Sequence, residues 1–235
     1  MLFTRLLGTS AVHARWLPSQ CAICHAWPSH SVCAACRTEF AAPALRCVQC
    51  ARRVPQGVLR CGQCLAHPPA IDACIAAVDY AYPWEALITR FKFRSEPGLA
   101  GALAALMHAA AADAPLLSTA DAVLPIPLSG ERLRQRGYNQ ALLLARALAH
   151  PRVRARWLLR THDTLAQSSL NRSARLHNLQ GAFAVSAQAP RDLGGRHLLL
   201  VDDVMTTGAT LHAAASALRA AGAAHVSALV LARTP

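Results

Sequence analysis

The sequence is poor in acidic residues and in lysine. Among 235 residues only 12 are Asp or Glu, and Lys92 is the single lysine beside 23 arginines. No apolar run reaches the roughly 18 residues that a membrane-spanning helix needs. The N-terminal stretch is interrupted by Arg5, His13 and Arg15 and shows no small-residue cleavage site. These absences predict a chain with neither a membrane span nor a signal peptide.

Two common nucleotide-binding motifs are also missing. The chain has no GxxxxGK[ST] segment and no GxGxxG segment after a strand, which excludes a P-loop and a Rossmann fingerprint. Aromatic residues make up 5% of the sequence and are scattered, so no row of aromatics for stacking successive bases can be recognised. The basic residues are more concentrated, because residues 131–196 hold twelve arginines and three acids, a net charge of +9. This segment indicates an anionic partner, or a solvated arginine-rich surface.

Cysteine is abundant only near the N-terminus, where eight of the nine cysteines form four CxxC pairs. A CxxC turn offers two thiolates to one ion, and a tetrahedral zinc ion needs two such turns. The spacing therefore predicts two closed structural zinc sites with no chemistry at the metal. Their ligands are Cys21, Cys24, Cys33, Cys36, Cys47, Cys50, Cys61 and Cys64.

Sequential pairing of the four turns is the simplest arrangement, and a cross-braced arrangement of the first pair with the third is compatible with the same spacing. A disulfide framework is the alternative to metal, but the rest of the chain reads as an intracellular α/β domain with a lone Cys74. Arginines between the turns could contact nucleic acid or protein, or the module could be a spacer.

A change in composition at Pro68 and Pro69 predicts a domain boundary. We predict a double zinc-ribbon module over residues 1–69 and a larger domain over residues 70–235. Strand and helix patterns alternate in the larger domain, which predicts a mostly parallel sheet flanked by helices. The predicted strands are 74–82, 121–129, 155–161, 196–203 and 225–234, and the predicted helices are 84–93, 98–112, 138–150 and 210–223.

The segment VDDVMTTGAT, residues 201–210, joins a buried strand to a helix. In parallel sheets, ligands bind where strands end and helices begin. Free N–H groups at a helix start attract phosphate, and Asp202 and Asp203 can accept hydrogen bonds from a vicinal diol. The segment can therefore hold a ribose 5-phosphate, with the two acids as candidate catalytic residues. The phosphate would be held by Val204, Thr206, Thr207, Gly208, Ala209 and Thr210.

This segment resembles the phosphoribosyl pyrophosphate (PRPP) loop of type I phosphoribosyltransferases. Together with KF at 92–93, RLRQRGYNQ at 132–140 and QSSLNRSARLHNLQGAF at 167–183, it resembles the ComF family, also called competence protein F or GntX-like. The resemblance implies a cysteine-rich zinc module joined to a phosphoribosyltransferase-type domain with a parallel sheet, flanking helices and a hood. It also implies a cytoplasmic protein with a role in DNA uptake, in contact with incoming single-stranded DNA or with DNA-uptake proteins.

Arginines in two further segments are candidate phosphate ligands. Phosphoribosyl transfer expels pyrophosphate, so Mg²⁺ and fixed cations near the leaving group lower the barrier. Arg132, Arg134 and Arg136 follow a predicted strand end, where a pyrophosphate loop would lie, and solvated arginines in a helix-entry loop are the alternative. Arg172 and Arg175 fall where related enzymes carry a mobile loop over the active site. Lys92 lies on an early helix and cannot be placed in the site from the sequence.

Two functions remain open at this point. The first is Mg²⁺-dependent transfer of phosphoribose from PRPP to an unidentified acceptor. The second is non-catalytic binding, either of a sugar phosphate or of single-stranded DNA or a nucleotide at the same phosphate site, helped by the arginine-rich segment.

Overall fold

The computed structural model describes residues 19–148, 151–161 and 181–235. Its helices are α1 Ala34–Phe40, α2 Gly62–Ala66, α3 Trp84–Phe93, α4 Ala100–Ala110, α5 Leu116–Thr119, α6 Gly130–Arg136, α7 Gln140–Ala147 and α8 Ala209–Ala220, with a 3₁₀ turn at Pro97–Leu99. Its strands are β1 Ala73–Asp79, β2 Ala122–Pro125, β3 Leu158–Arg160, β4 Phe183–Val185, β5 His197–Met205 and β6 His225–Arg233.

A four-stranded parallel sheet in the order β1-β6-β5-β2 forms the centre of the larger domain. Strands β5 and β6 are almost continuously apolar and buried, as expected for a parallel sheet covered on both faces. The prediction of a parallel sheet flanked by helices is confirmed. The segment predicted as a strand over 155–161 contributes β3, which pairs antiparallel with β4 in a separate two-stranded sheet.

The two faces of the sheet support two hydrophobic cores. Helices α3, α4 and α7 cover one face, with Trp84, Leu103 and Leu144 buried in that core. Helix α8 covers the other face, where Leu211 and Leu218 are buried. Since side chains alternate along each strand, consecutive strand residues feed opposite cores. The sheet is thereby packed on both faces, and the loops at its carboxyl edge extend from buried strands.

The cysteine-rich segment contacts both cores. Cys21 and Cys36 are buried with Trp84 in the first core, and the Trp84 indole Nε1 donates to the Phe40 carbonyl at 2.8 Å. Ala51 is buried in the second core. The boundary at residues 69 and 70 stays a prediction. No helix in the described parts of the chain has the length and apolar character needed to cross a membrane.

Candidate functional site

The paired acids lie at the carboxyl end of β5, in the middle of the sheet. Asp202 is aligned with Val230 of the neighbouring strand β6. The Asp202 Oδ1 accepts from the Asp203 N–H at 2.9 Å, and the Asp203 Oδ1 accepts from the Val204 N–H at 2.6 Å. These local hydrogen bonds orient both carboxylates at the edge of the sheet where the next loop begins.

Helix α8 starts directly after these acids. Gly208 precedes it with a φ of 81°, a left-handed conformation that favours glycine. A side chain at this position would meet the Met205 Cε at 2.5 Å. Because glycine provides no side-chain cap, the N–H groups of the first turn other than that of Ala209 stay available for a ligand. The Thr207 Oγ1 accepts from the Ala209 N–H at 3.3 Å and closes the loop behind them.

A cavity of about 320 Å³ opens in front of this loop, and we call it the first cavity. The acids, the loop and several distant cationic or amide side chains share its wall. The lining includes Lys92, Arg132, Arg136, Asn139, Arg160, Asp202, Asp203, Val204, Thr206, Thr207, Gly208, Ala209 and Thr210. Its size suits a small sugar phosphate.

Lys92 reaches this cavity from α3. Its Nζ lies 2.9 Å from the Asp203 Oδ1, and both side chains are largely buried, with 15% and 11% of their surface exposed. At this depth the two charges interact more strongly than at the protein surface. The pair places one cation within reach of any anion that enters the cavity.

The arginines reach the cavity through α6, a short helix where the sequence analysis predicted a pyrophosphate loop. Ser129 caps its start by accepting from the Arg132 N–H at 3.3 Å, and Gly137 ends it with a φ of 75°. The Arg136 Nη1 donates to the Gln140 Oε1 at 3.1 Å, and its guanidinium lies 5.0 Å from the centre of the Phe93 ring. Arg136 is thereby oriented before any ligand binds.

Asp202 differs electrostatically from a surface carboxylate. Burial above all, together with the neighbouring charge of Asp203, raises the pKa of Asp202 to about 7, against the lowering effects of the Asp203 backbone N–H, Lys92 and Arg160. Near neutral pH, Asp202 is therefore close to the midpoint between its protonated and ionised forms. An incoming cation or hydroxyl donor that stabilises the carboxylate would favour the ionised form.

The eight paired cysteines form two clusters with the geometry of tetrahedral metal sites. The first cluster is Cys21, Cys24, Cys33 and Cys36, and the second cluster is Cys47, Cys50, Cys61 and Cys64. All four Sγ atoms of each cluster lie within 4.8 Å of one another. The sequential pairing of the CxxC turns is therefore the one that the structure shows.

The sulfur spacing fits zinc. Four sulfurs about 2.3 Å from one ion would lie about 3.8 Å from each other. The Sγ atoms are separated by 3.9 Å for Cys21 and Cys36, 3.7 Å for Cys24 and Cys33, and 3.6 Å for Cys50 and Cys61. Backbone N–H groups of Cys33 and Cys61 donate to the Cys21 and Cys47 sulfurs at 3.4 and 3.3 Å. Such donors stabilise the thiolate form that binds metal.

Comparison with known proteins agrees with this architecture. A family model described as "Phosphoribosyl transferase domain" matches residues 136–235. The DNA utilization protein YhgH of Escherichia coli O6:H1 is 32% identical over 229 residues, covering 93% of this chain and 98% of the relative. Competence protein F of Haemophilus influenzae is 34% identical over 181 residues, covering 72% and 76%. The chain belongs to the ComF family. Competence protein ComFC of Bacillus subtilis is 40% identical over 113 residues, covering 48% and 44%.

With the ComF assignment in place, the predicted site residues can be located. The structure brings every predicted residue of the 202–210 segment to the first cavity, along with Arg132 and Arg136. Arg134 is exposed on α6 and does not line this cavity. Arg172 and Arg175 lie outside the described residues. The roles assigned to these side chains stay predictions.

The lining residues that were not predicted as site residues include Lys92, Phe93 and Arg160. Lys92 and Phe93 are more than 100 positions from Asp203, and Arg160 is the last residue of a strand of only three residues. The available signal for Lys92 was its pairing with Phe93 in the ComF-like KF motif. Phe93, 65% exposed at the cavity, supplies an aromatic surface that the scattered aromatics did not indicate.

Proposed function

We propose that this ComF-family chain binds PRPP, or a closely related pentose phosphate, in the first cavity. The observation that carries the proposal is the convergence of three complementary groups on one cavity: two carboxylates, an open helix start, and the cations Lys92, Arg132 and Arg136. Each group matches one part of the ligand. A cavity for a neutral ligand would not need this arrangement.

The 5-phosphate would lie at the start of α8. Its oxygens would accept hydrogen bonds from the first-turn N–H groups and from the threonine hydroxyls of residues 206–210, and the helix dipole would add to the attraction. The ribose 2- and 3-hydroxyls would donate to Asp202 and Asp203. The separation of carboxylates from the phosphate loop by only two residues matches the short span of a pentose.

The pyrophosphate would lie on the cationic side of the cavity. Arg132 and Arg136 offer N–H donors, and the Lys92 ammonium can turn from Asp203 towards a phosphate oxygen. If transfer takes place, a nucleophilic atom of the acceptor bonds to the anomeric carbon, the bond from that carbon to the pyrophosphate oxygen breaks, pyrophosphate leaves with the electron pair, and these cations stabilise its charge. Mg²⁺ entering with PRPP would supply further charge neutralisation.

We also propose that this binding serves DNA utilization or uptake. The support is the printed names of the relatives, two of which are competence proteins and one a DNA utilization protein. The two cysteine clusters are proposed to hold structural zinc, on the strength of their sulfur spacing.

Substitution of both acids should abolish sugar-phosphate binding. We expect the Asp202→Asn, Asp203→Asn double variant to lose at least 100-fold in affinity for PRPP, measured by calorimetry with Mg²⁺ present, because amides accept fewer and weaker hydrogen bonds from the diol. Asp113→Asn, at an exposed position, is the matched control. An unchanged affinity in the double variant would exclude the proposed site, and pyrophosphate release across a panel of bases would test turnover.

A second candidate function is binding of single-stranded DNA through the same phosphate loop. The net charge of +9 over residues 131–196 favours it. We expect the affinity for an oligonucleotide to fall at least tenfold between 50 and 200 mM salt, and PRPP should compete with the DNA. Arg136→Gln should weaken the interaction and reduce its salt dependence. Binding that does not respond to salt, or that PRPP leaves intact, would rule out a shared phosphate site.

A further inference from the structure

A second cavity of about 210 Å³ lies on the other side of the 207–209 loop from the first. It is enclosed between the second cysteine cluster, the segment before β1 and the start of α8. Pro68, Pro69, Ile71 and Met205 give it a mainly apolar wall, and His212 and Arg233 are among its polar lining residues. Neither the family model nor the names of the relatives assigns a ligand to this cavity.

Arg233 is a buried cation whose hydrogen-bonding capacity is only partly used. It is 3% exposed. Its Nε donates to the Cys50 carbonyl at 3.0 Å, and its Nη1 donates to the Met205 carbonyl at 3.3 Å and to the Thr234 hydroxyl at 3.1 Å. Within ranges 19–148, 151–161 and 181–235, no acceptor is found for its Nη2. This donor is not among the buried atoms without a partner, and Arg233 lines the cavity, so an acceptor that enters the cavity can reach it.

His212 supplies a second donor to the same cavity. Its Nδ1 accepts from the Ala70 N–H at 3.0 Å, which places the ring proton on Nε2. Burial lowers the pKa of His212, so the ring is neutral at physiological pH. No described residue accepts from Nε2. The cavity therefore presents two N–H donors and one acceptor, the buried Gln49 Oε1, which has no partner among the described residues, beside an apolar wall.

The charge of the second cysteine cluster further limits which ligands the cavity could bind. Four thiolates around one divalent ion carry a net charge of about −2, and Cys50 and Cys64 border the cavity. An anion would be repelled by this charge, although Arg233 offsets part of it. The chemistry that fits is a neutral, flat and mostly apolar molecule with two acceptors on one edge.

We propose that the second cavity binds a nucleobase of the guanine type. Guanine presents O6 and N7 as adjacent acceptors on one edge, and arginine is a frequent donor to that edge. Its ring would lie against Ile71 and the two prolines. Occupancy would bring the ligand into contact with Thr207, Gly208 and Ala209, which also line the first cavity. This site does not depend on the proposed sugar-phosphate function.

The test uses the full, zinc-loaded chain and nucleosides, which lack the phosphate that the first cavity would bind. We expect saturable binding of guanosine by calorimetry, with adenosine at least tenfold weaker because its edge replaces O6 with an amino group. 7-Deazaguanosine, which lacks N7, should also bind at least tenfold more weakly. Equal affinities for these three nucleosides, or no saturable guanosine binding, would overturn the proposal.

Two matched variants locate the site. Pro68→Trp places a large ring at the mouth of the cavity and should reduce guanosine affinity at least tenfold. Pro55→Trp, at an exposed position outside the cavity lining, should leave it unchanged. Metal content and PRPP affinity measured on both variants identify a folding defect. Guanosine binding that survives Pro68→Trp in a folded, metal-loaded protein would place the nucleoside elsewhere and reject this cavity.

Discussion

Replacing Cys61 by Ser is expected to remove one of two metal ions and to weaken PRPP binding about tenfold. The second cluster is joined by hydrogen bonds to β1 and, through Arg233, to the end of β5, where the loop of the first cavity begins. The Val48 carbonyl accepts from the Cys74 N–H of β1 at 2.7 Å. The Cys50 carbonyl accepts from Arg233, which also donates to the Met205 carbonyl at the end of β5. Structural zinc stabilises such a module by on the order of 10 kcal/mol, so its loss should release Arg233 and the loop.

Cys33→Ser is the matched control for this experiment. Cys33 and Cys61 occupy equivalent places, since each precedes the helix, α1 or α2, that carries the last cysteine of its cluster. The first cluster contacts α3 near Trp84, eight positions before Lys92, and in the described part of the chain no hydrogen bond joins it to residues 205–210. We expect this variant to lose one ion in native mass spectrometry and less than threefold in PRPP affinity. Equal losses of affinity in the two variants would contradict a specific link through Arg233.

The parts of the site that the sequence predicts are those encoded within one strand–loop–helix segment. Residues 198–210 carry the buried strand, the acids, the glycine and the helix start in order, so local chemistry is sufficient to recognise them. The CxxC turns are similarly local, but their partners are not, because spacing permits more than one pairing. Only the sulfur distances identify the sequential arrangement.

The remaining parts depend on tertiary structure. Lys92 lines the cavity because α3 follows β1, which lies two strands away from β5 in the sheet. No local sequence pattern predicts that Lys92 and Asp203 lie close together. Helix α6 was missed for a different reason. Its capping signals, Ser129 at the start and Gly137 at the end, are present in the sequence, but the arginines and prolines around them favoured interpretation as a loop.

Substitution of Asp202 should stabilise the unliganded protein while it impairs binding. Burial and the charge of Asp203 raise the pKa of Asp202 to about 7 in the folded state, from 3.8. A carboxyl with a raised folded pKa stabilises the fold when it is protonated, and that stability is lost as pH rises through about 7. Asp202→Asn keeps an acceptor for the Asp203 N–H and removes the buried charge. Its unfolding free energy should therefore exceed that of the original protein most at high pH.

We expect the advantage of Asp202→Asn to be on the order of 2 kcal/mol larger at pH 8 than at pH 5. For a chain of this size, this corresponds to a difference of roughly 4–8 °C in the shift of the melting temperature. Measurements with excess zinc at both pH values, with Asp113→Asn as the exposed control, separate this effect from metal loss. A change in melting temperature that is the same at both pH values would show that ionised Asp202 does not destabilise the folded protein. A larger shift at pH 8 would support the view that the fold maintains this carboxylate, at a cost in stability, for a ligand that donates to it.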